Sequence, residues 1–273
     1  MIGALALEMG LVFAMAAALI AVANYFTPAA KRTAWNEPMS YWVIALRSPS
    51  RVVRDSALAA IAYLEPTAAS TIGVVLPLLD DPDAELRADA ASILIVAARA
   101  SENRAAAVEQ SMANVLAGGH SAAARTQAAT VLGKTRPGPT GLTALMSATT
   151  DTDWPVRSAA IFALADRGGP ATTREMSAIL QAVDDSEAEV RAAAMESLRR
   201  MWPDHELVLS AAGAALEDSA SMVREQAIHT LAEFGARAER YRPRVVLASE
   251  DPFPSVRSAA RQALRRMPFV PKE

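Results

Sequence analysis

One phrase returns along this chain (an acidic turn, then Val-Arg, then Ala, then Leu), and no other feature restricts the fold so strongly. Aligned on the arginine it has seven copies: "SPSRVVRDSALAAI" around Arg54, "DDPDAELRADAASIL" around Arg87, the weaker "GGHSAAARTQAATVL" around Arg125, "DTDWPVRSAAIFAL" around Arg157, "DDSEAEVRAAAMESL" around Arg191, "EDSASMVREQAIHTL" around Arg224 and "EDPFPSVRSAARQAL" around Arg257. The arginines lie 33, 38, 32, 34, 33 and 33 residues apart. A period of this length implies a solenoid: one supersecondary unit cannot bury its apolar face alone, and stacked neighbours bury it together.

Each copy reads as two helices. Val190, Ala194, Leu198 and Met201 fall three or four apart and share one helix face, with Arg191, Glu196 and Arg199 off it. This is helix B of a unit. Upstream of the acidic turn runs a second apolar stretch, such as residues 174–183 or 205–216, ending where Asp, Ser or Pro breaks it. This is helix A, antiparallel to B. Composition agrees, since 52% of residues are hydrophobic but only 5% aromatic; a core of Ala, Leu, Val and Met suits closely packed helices better than strands.

The turn acids, the Val-Arg pairs and the Ala and Leu that follow resemble the HEAT-repeat family in its short bacterial form, over roughly residues 45–267. The resemblance implies an all-α fold, a right-handed α-solenoid of about seven two-helix repeats. It also implies a ladder in which Asp81, Asp153, Asp185, Asp218 and Asp251 pair with Arg87, Arg157, Arg191, Arg224 and Arg257 of neighbouring repeats. Ser48 and Gly119 or His120 stand where an acid is expected, so the ladder should break at Arg54 and Arg125. The alanines that follow each arginine (positions 57, 90, 128, 160, 194, 227 and 260) should sit where helices cross closely.

Residues 9–26, "MGLVFAMAAALIAVANYF", carry no charge over 18 positions, nearly enough helix to cross a hydrocarbon core about 30 Å thick. With residues 2–7 the span is complete. The organisation expected is a transmembrane anchor at 1–27, a juxtamembrane linker and N-terminal cap at 28–44, the repeats at 45–267 and a short tail at 268–273. Ala21-Val22-Ala23 has the form of a signal-cleavage site, but no basic region precedes the apolar run. No Lys or Arg precedes the span, whereas Lys31 and Arg32 follow it, so the positive-inside rule puts the repeats in the cytoplasm. The small residues of 14–23 permit close approach of another membrane helix, and Glu8, near one end of the span, is a candidate contact to such a partner. An excess of 24 Arg over three Lys is associated with bacterial coding, which points to a bacterial inner membrane.

A net charge of −3 and a pI near 5.7 give no global basic field, so nucleic acid is not expected as a partner. The absence of Cys excludes disulfides and thiolate chemistry. His120, His205 and His229 do not share metal-ligand spacing. "GKT" at 133–135 lacks the upstream glycine and the preceding strand of a phosphate loop, and Gly133 reads as a helix C-cap before Pro137 and Pro139. The carboxylates are turn acids with arginines at hand, and no nucleophile elbow is present. Neither cofactor, metal nor catalytic residue is therefore expected.

Aromatic residues are the remaining signal: Trp35, Tyr41 and Trp42 follow the span, and Trp154 and Phe253 occupy the same turn in different copies. They read as candidate partner contacts, since aromatics anchor interfaces. The function expected is a non-catalytic, membrane-tethered scaffold or accessory subunit binding proteins of a bacterial membrane complex. A HEAT-like bilin lyase, needing a pigment pocket on the concave face, is the alternative. A HEAT-like DNA-repair glycosylase is disfavoured by the acidic pI and the anchor.

Overall fold

The computed structural model describes residues 37–267, apart from residues 38, 47, 64–67 and 168–171. Glu8, the span at 9–26 and Trp35 lie outside the described residues. No described helix is long and apolar enough to cross a membrane.

The described elements are helices, and the chain divides into two compact units, residues 1–108 and 109–273. The first holds α1 (Met39–Ala45), α2 (Arg51–Tyr63), α3 (Ala68–Val75), α4 (Ala84–Ala100) and the start of α5 (Glu102–Leu116). The second continues α5 and adds α6 (Ala122–Thr135), α7 (Pro139–Ala148), α8 (Trp154–Asp166), α9 (Thr173–Gln181), α10 (Ala188–Met201), α11 (Glu206–Ala215), α12 (Ser221–Phe234), α13 (Arg242–Leu247) and α14 (Pro254–Arg266). The ladder arginines all fall on even-numbered helices, which are the B helices; the odd-numbered ones are the A helices.

Local chemistry sets the boundaries. Asp83 and Ser121 accept hydrogen bonds from the first-turn amides of Glu85 and Ala124, and Thr172 with Glu175 forms a capping box at α9. Proline opens α7, α8 and α14, where its missing N–H costs nothing. The carboxylate of Glu109 accepts from the amides of Gly138 and Gly141 at 3.0 and 2.7 Å, so α5 holds the start of α7.

In the first unit α1 packs on α2, and α2 and α3 pack on α4. Trp42, Leu58, Ile61, Leu79, Leu86 and Leu94 form its core. In the second unit α7, α9, α11 and α13 each pack on the B helix that follows, and the B helices pack in series, α6 on α8, α8 on α10, α10 on α12 and α12 on α14. Successive A helices do not touch in this way. The stack of this unit therefore curves with its B helices on the inner side. Ala57, Ala90, Ala128, Ala160, Ala194, Ala227 and Ala260 are fully buried, as residues set where helices pack closely have to be.

Gly133 differs from its expected role. It lies inside α6, and the C-cap is Arg136, in the left-handed conformation at φ 54°. A Cβ on Gly133 would come within 2.7 Å of the Ala163 Cα, so at the glycine α6 and α8 approach too closely for any side chain. Gly213 in α11 likewise gives its place to the ring of Tyr241.

Candidate protein interface

Every ladder arginine uses one nitrogen to grip its own turn. Nη1 of Arg157 donates to the carbonyls of Asp151 and Thr152 at 2.9 and 3.2 Å, and Arg191, Arg224 and Arg257 do the same to residues 185–186, 218–219 and 251–252. The other edge of the fork faces the next repeat. Nε and Nη2 of Arg125, Arg157, Arg191 and Arg224 donate to both oxygens of Asp151, Asp185, Asp218 and Asp251, at 2.7–3.0 Å. Each of these aspartates also accepts the backbone N–H two residues on, which shapes its turn. One carboxylate therefore folds a turn and locks it to the preceding repeat.

The direction of pairing corrects the expected breaks. An arginine needs an acid in the following turn and not in its own, so Arg125 is fully paired with Asp151, with a further bond to Asp153 at 2.8 Å. Arg54 pairs with Asp83 at 2.6 Å, while Asp81 shapes its own turn by accepting the Asp83 N–H. Asp81 and Asp153 are thus not the principal partners. Arg87 grips the carbonyls of Asp81 and Pro82, and the next turn in sequence, residues 118–121, contains no carboxylate. Arg257 finds no carboxylate among the described residues.

These rungs are largely buried, with the arginines and aspartates of the 157–185, 191–218 and 224–251 pairs 9–13% exposed. For Asp218 and Asp251 the hydrogen bonds from Arg191 and Arg224 outweigh burial and hold the carboxyls below the ordinary range. For Asp151 and Asp185 burial is the largest single influence and pushes upward. The hydrogen bonds of Arg125 and Arg157, a backbone N–H and the guanidinium charge together overcome it, and these carboxyls are lowered too.

A second ionic row runs across the ends of the B helices. Asp166 on α8 accepts from Lys134 on α6 and Arg200 on α10, both at 2.7 Å, and Arg199 pairs with Glu233 on α12 at 2.5 Å. Between α6 and α8 this row borders a mainly apolar groove of about 320 Å³, lined by Trp154, Pro155, Phe162 and Ala163 with Lys134 and Asp166. Between α10, α12 and α14 lies a polar groove of about 330 Å³, lined by Glu196, Arg199, His229, Glu233 and Arg266. Among the described residues no group of His, Cys, Asp or Glu could hold a metal ion. His205 caps α11, its Nδ1 accepting the Leu207 N–H at 3.2 Å, and the carbonyl of His120 accepts from Arg125 at 2.6 Å.

The proposed contact aromatics separate. Trp154 is 42% exposed at the mouth of the apolar groove, and Phe253, 50% exposed, lies under the Arg224 guanidinium at 5.7 Å. The two do not share a pocket. Trp42 is not available to a partner: it is 6% exposed in the core of the first unit, because α1 turns that face onto α2, while Tyr41 stands outside in edge-to-face contact with it. Phe162 and the triad of Lys134, Asp166 and Arg200 escaped the sequence reading; Lys134, Asp166 and Arg200 each stand six residues beyond the buried alanine of their own B helix, and that shared register is the signal that would have found them.

The HEAT-repeat family model matches residues 109–199 and 176–265, together more than half of the 273 residues. The chain belongs to the HEAT-repeat family. Among curated proteins no sequence matches it. Among solved structures the HEAT-repeat chain is similar to the YibA protein of E. coli, with a TM-score of 0.59 at 16% identity over 82% of this chain and 81% of that one. It is similar also to importin beta, with a TM-score of 0.65 at 15% identity over 84% of this chain. A chain of the Kap95p–RanGDP complex matches with a TM-score of 0.59 at 12% identity over 84% of this chain. This HEAT-repeat chain spans only 37% and 35% of those last two. At such identities the likeness is one of fold.

Proposed function

We propose that this HEAT-repeat chain is a non-catalytic scaffold or accessory subunit, tethered by residues 9–26 to a bacterial inner membrane with its repeats in the cytoplasm, where it binds proteins of a membrane complex. The observation that carries the binding role is the inner surface of the second unit, where Trp154 stands 42% exposed beside Phe162 in an open, mainly apolar groove. An exposed tryptophan in an apolar concavity, rimmed by a salt-bridged charge pair, has the make-up of an interface anchor with a polar rim. The similar fold in the Kap95p–RanGDP structure belongs to a complex with a protein partner, which supports the same use of the fold. The tether rests on the uncharged run at 9–26 with Lys31 and Arg32 after it.

The test is purification of the full chain from membranes in mild detergent and identification of the chains that accompany it. Defined protein partners should co-purify, and Trp154→Ala should lower their yield by about tenfold, as loss of an interface hot spot does. Equal yields from wild type and variant would remove the groove from the account. Release of the chain from membranes by alkaline carbonate would remove the tether.

A further inference from the structure

Charge is distributed very unevenly over the second unit. Residues 109–234 carry ten basic and sixteen acidic side chains, whereas residues 235–267 carry eight arginines and three acids. Arg237, Arg240 and Arg244 are answered by Asp204, Glu206 and Glu217. Arg257, Arg261, Arg265 and Arg266, all on α14, have no carboxylate within ion-pair distance among the described residues.

Three of these four lie in one row. In α6 the row Arg125, Ala129, Gly133 is the face laid on the next B helix, as the approach of Gly133 to Ala163 shows. Four residues beyond each of the first six ladder arginines stand Leu58, Ala91, Ala129, Ile161, Met195 and Ile228, all buried. In α14 the same row reads Arg257, Arg261, Arg265, and the latter two are exposed. A polar outer face on a terminal repeat keeps a solenoid soluble, but that requirement is met by mixed charges. Three like charges at successive four-residue steps repel one another along the helix. Their repulsion is relieved by a ligand of opposite sign. Arg257 is already aimed for one: its Nη1 is fixed on the carbonyls of Asp251 and Pro252 at 2.7 and 2.8 Å, as in the paired arginines, while Nε and Nη2 have no partner among the described residues.

We propose that the α14 end of the second unit is a docking site for an acidic segment of a partner protein, in which one carboxylate completes the open rung at Arg257 and others are met by Arg261 and Arg265. The proposal rests on the scaffold reading and names the chemistry of one partner. A carboxylate fits better than a phosphate backbone because four rungs of this unit already show the same fork holding an aspartate bidentately, and because the acidic remainder of the unit opposes a polyanionic duplex. A second copy is a poorer occupant. Its aspartates 151, 185, 218 and 251 are engaged in their own rungs, and its first turn, Ser48-Pro49-Ser50, has no acid.

The test is fluorescence anisotropy on the full chain in detergent, with a labelled decapeptide of alternating Asp and Gly as probe. The peptide should bind at low salt, and its Asn-for-Asp analogue at least about tenfold more weakly. Arg257→Gln should weaken binding about tenfold. Arg261→Gln with Arg265→Gln, a surface pair whose loss leaves the repeat folded, should do the same, and Arg174→Gln, an exposed control on α9, should leave it unchanged. Equal weakening by Arg174→Gln would reduce the effect to net charge and overturn the site. So would any of three other results: tighter binding of a single-stranded oligonucleotide lost in the same variants; dimerisation in light scattering abolished by them; or peptide binding seen only after Glu273→Gln, meaning that the chain's own terminal residue fills the rung. None of these outcomes bears on co-purification through the Trp154 groove, so the two readings fail separately.

Discussion

The smallest working part is one guanidinium shared between two turns. Arg191 ties the carbonyls of Asp185 and Ser186 to the carboxylate of Asp218, and both of that rung's side chains are 13% exposed. Arg191→Ala and Arg224→Ala should each cost about 1–3 kcal/mol, because a largely buried carboxylate and two carbonyls lose their donor, whereas an exposed pair would lose under about 1 kcal/mol. Urea denaturation of the two variants checks this; unchanged midpoints would take the ladder out of the stability of the fold. Protonation acts on the same rungs. The carboxyls of Asp151, Asp185, Asp218 and Asp251 are lowered in the folded state, so their contribution is present above the unfolded value near 4 and is lost as pH falls through the lower, folded values. The urea midpoint should therefore stay level from pH 7 to about 5 and fall steeply below about 4. The fall should be smaller in Arg191→Ala, where Asp218 no longer has the donor that lowers it. The sequence made the partners visible but not the direction of pairing. Asp81 and Asp83 are both acids in one turn, and only coordinates distinguish the one that shapes the turn from the one that meets Arg54.

At the level of helices, side chains of one carbon or none decide how closely the B series packs. Gly133→Ala sets a Cβ against the backbone of α8, which has no rotamer with which to yield, and should cost about 1–3 kcal/mol by overpacking. Thermal denaturation of Gly133→Ala beside Gly73→Ala, where the added carbon meets nothing within 4 Å, separates this crossing from glycine chemistry in general. Equal melting temperatures would show that α6 and α8 can part without cost. Helix pairing was legible in advance, because Val190, Ala194 and Leu198 repeat with a helical period and all three are fully buried. The close crossing at Gly133 was not, since a glycine three residues before Arg136 looks like the end of a helix until the left-handed turn is found at Arg136 itself. Trp42 misled for a similar reason: seven residues of helix sufficed to bury it, and nothing in "SYW" says which aromatic faces inward.

For the chain as a whole, the period of 32–38 residues is legible in the sequence as a series of stacked helical repeats, because stacking neighbours have to repeat what they share. The candidate grooves were less legible, since they depend on side chains that the stacking does not constrain. The tether is a prediction of the same scale: a phosphatase fused after Glu273 should stay inactive, because Lys31 and Arg32 keep the repeats in the cytoplasm, and activity in the periplasm would reverse the orientation. One property of the ladder reaches beyond a single folded molecule. Arg125, Arg157, Arg191 and Arg224 each look one period downstream, so an in-frame loss or gain of one repeat between Arg125 and Asp251 leaves each of these arginines facing an aspartate. Unequal recombination within the gene can lengthen or shorten the array without a matched second mutation, and descendants can differ in copy number while each remains foldable.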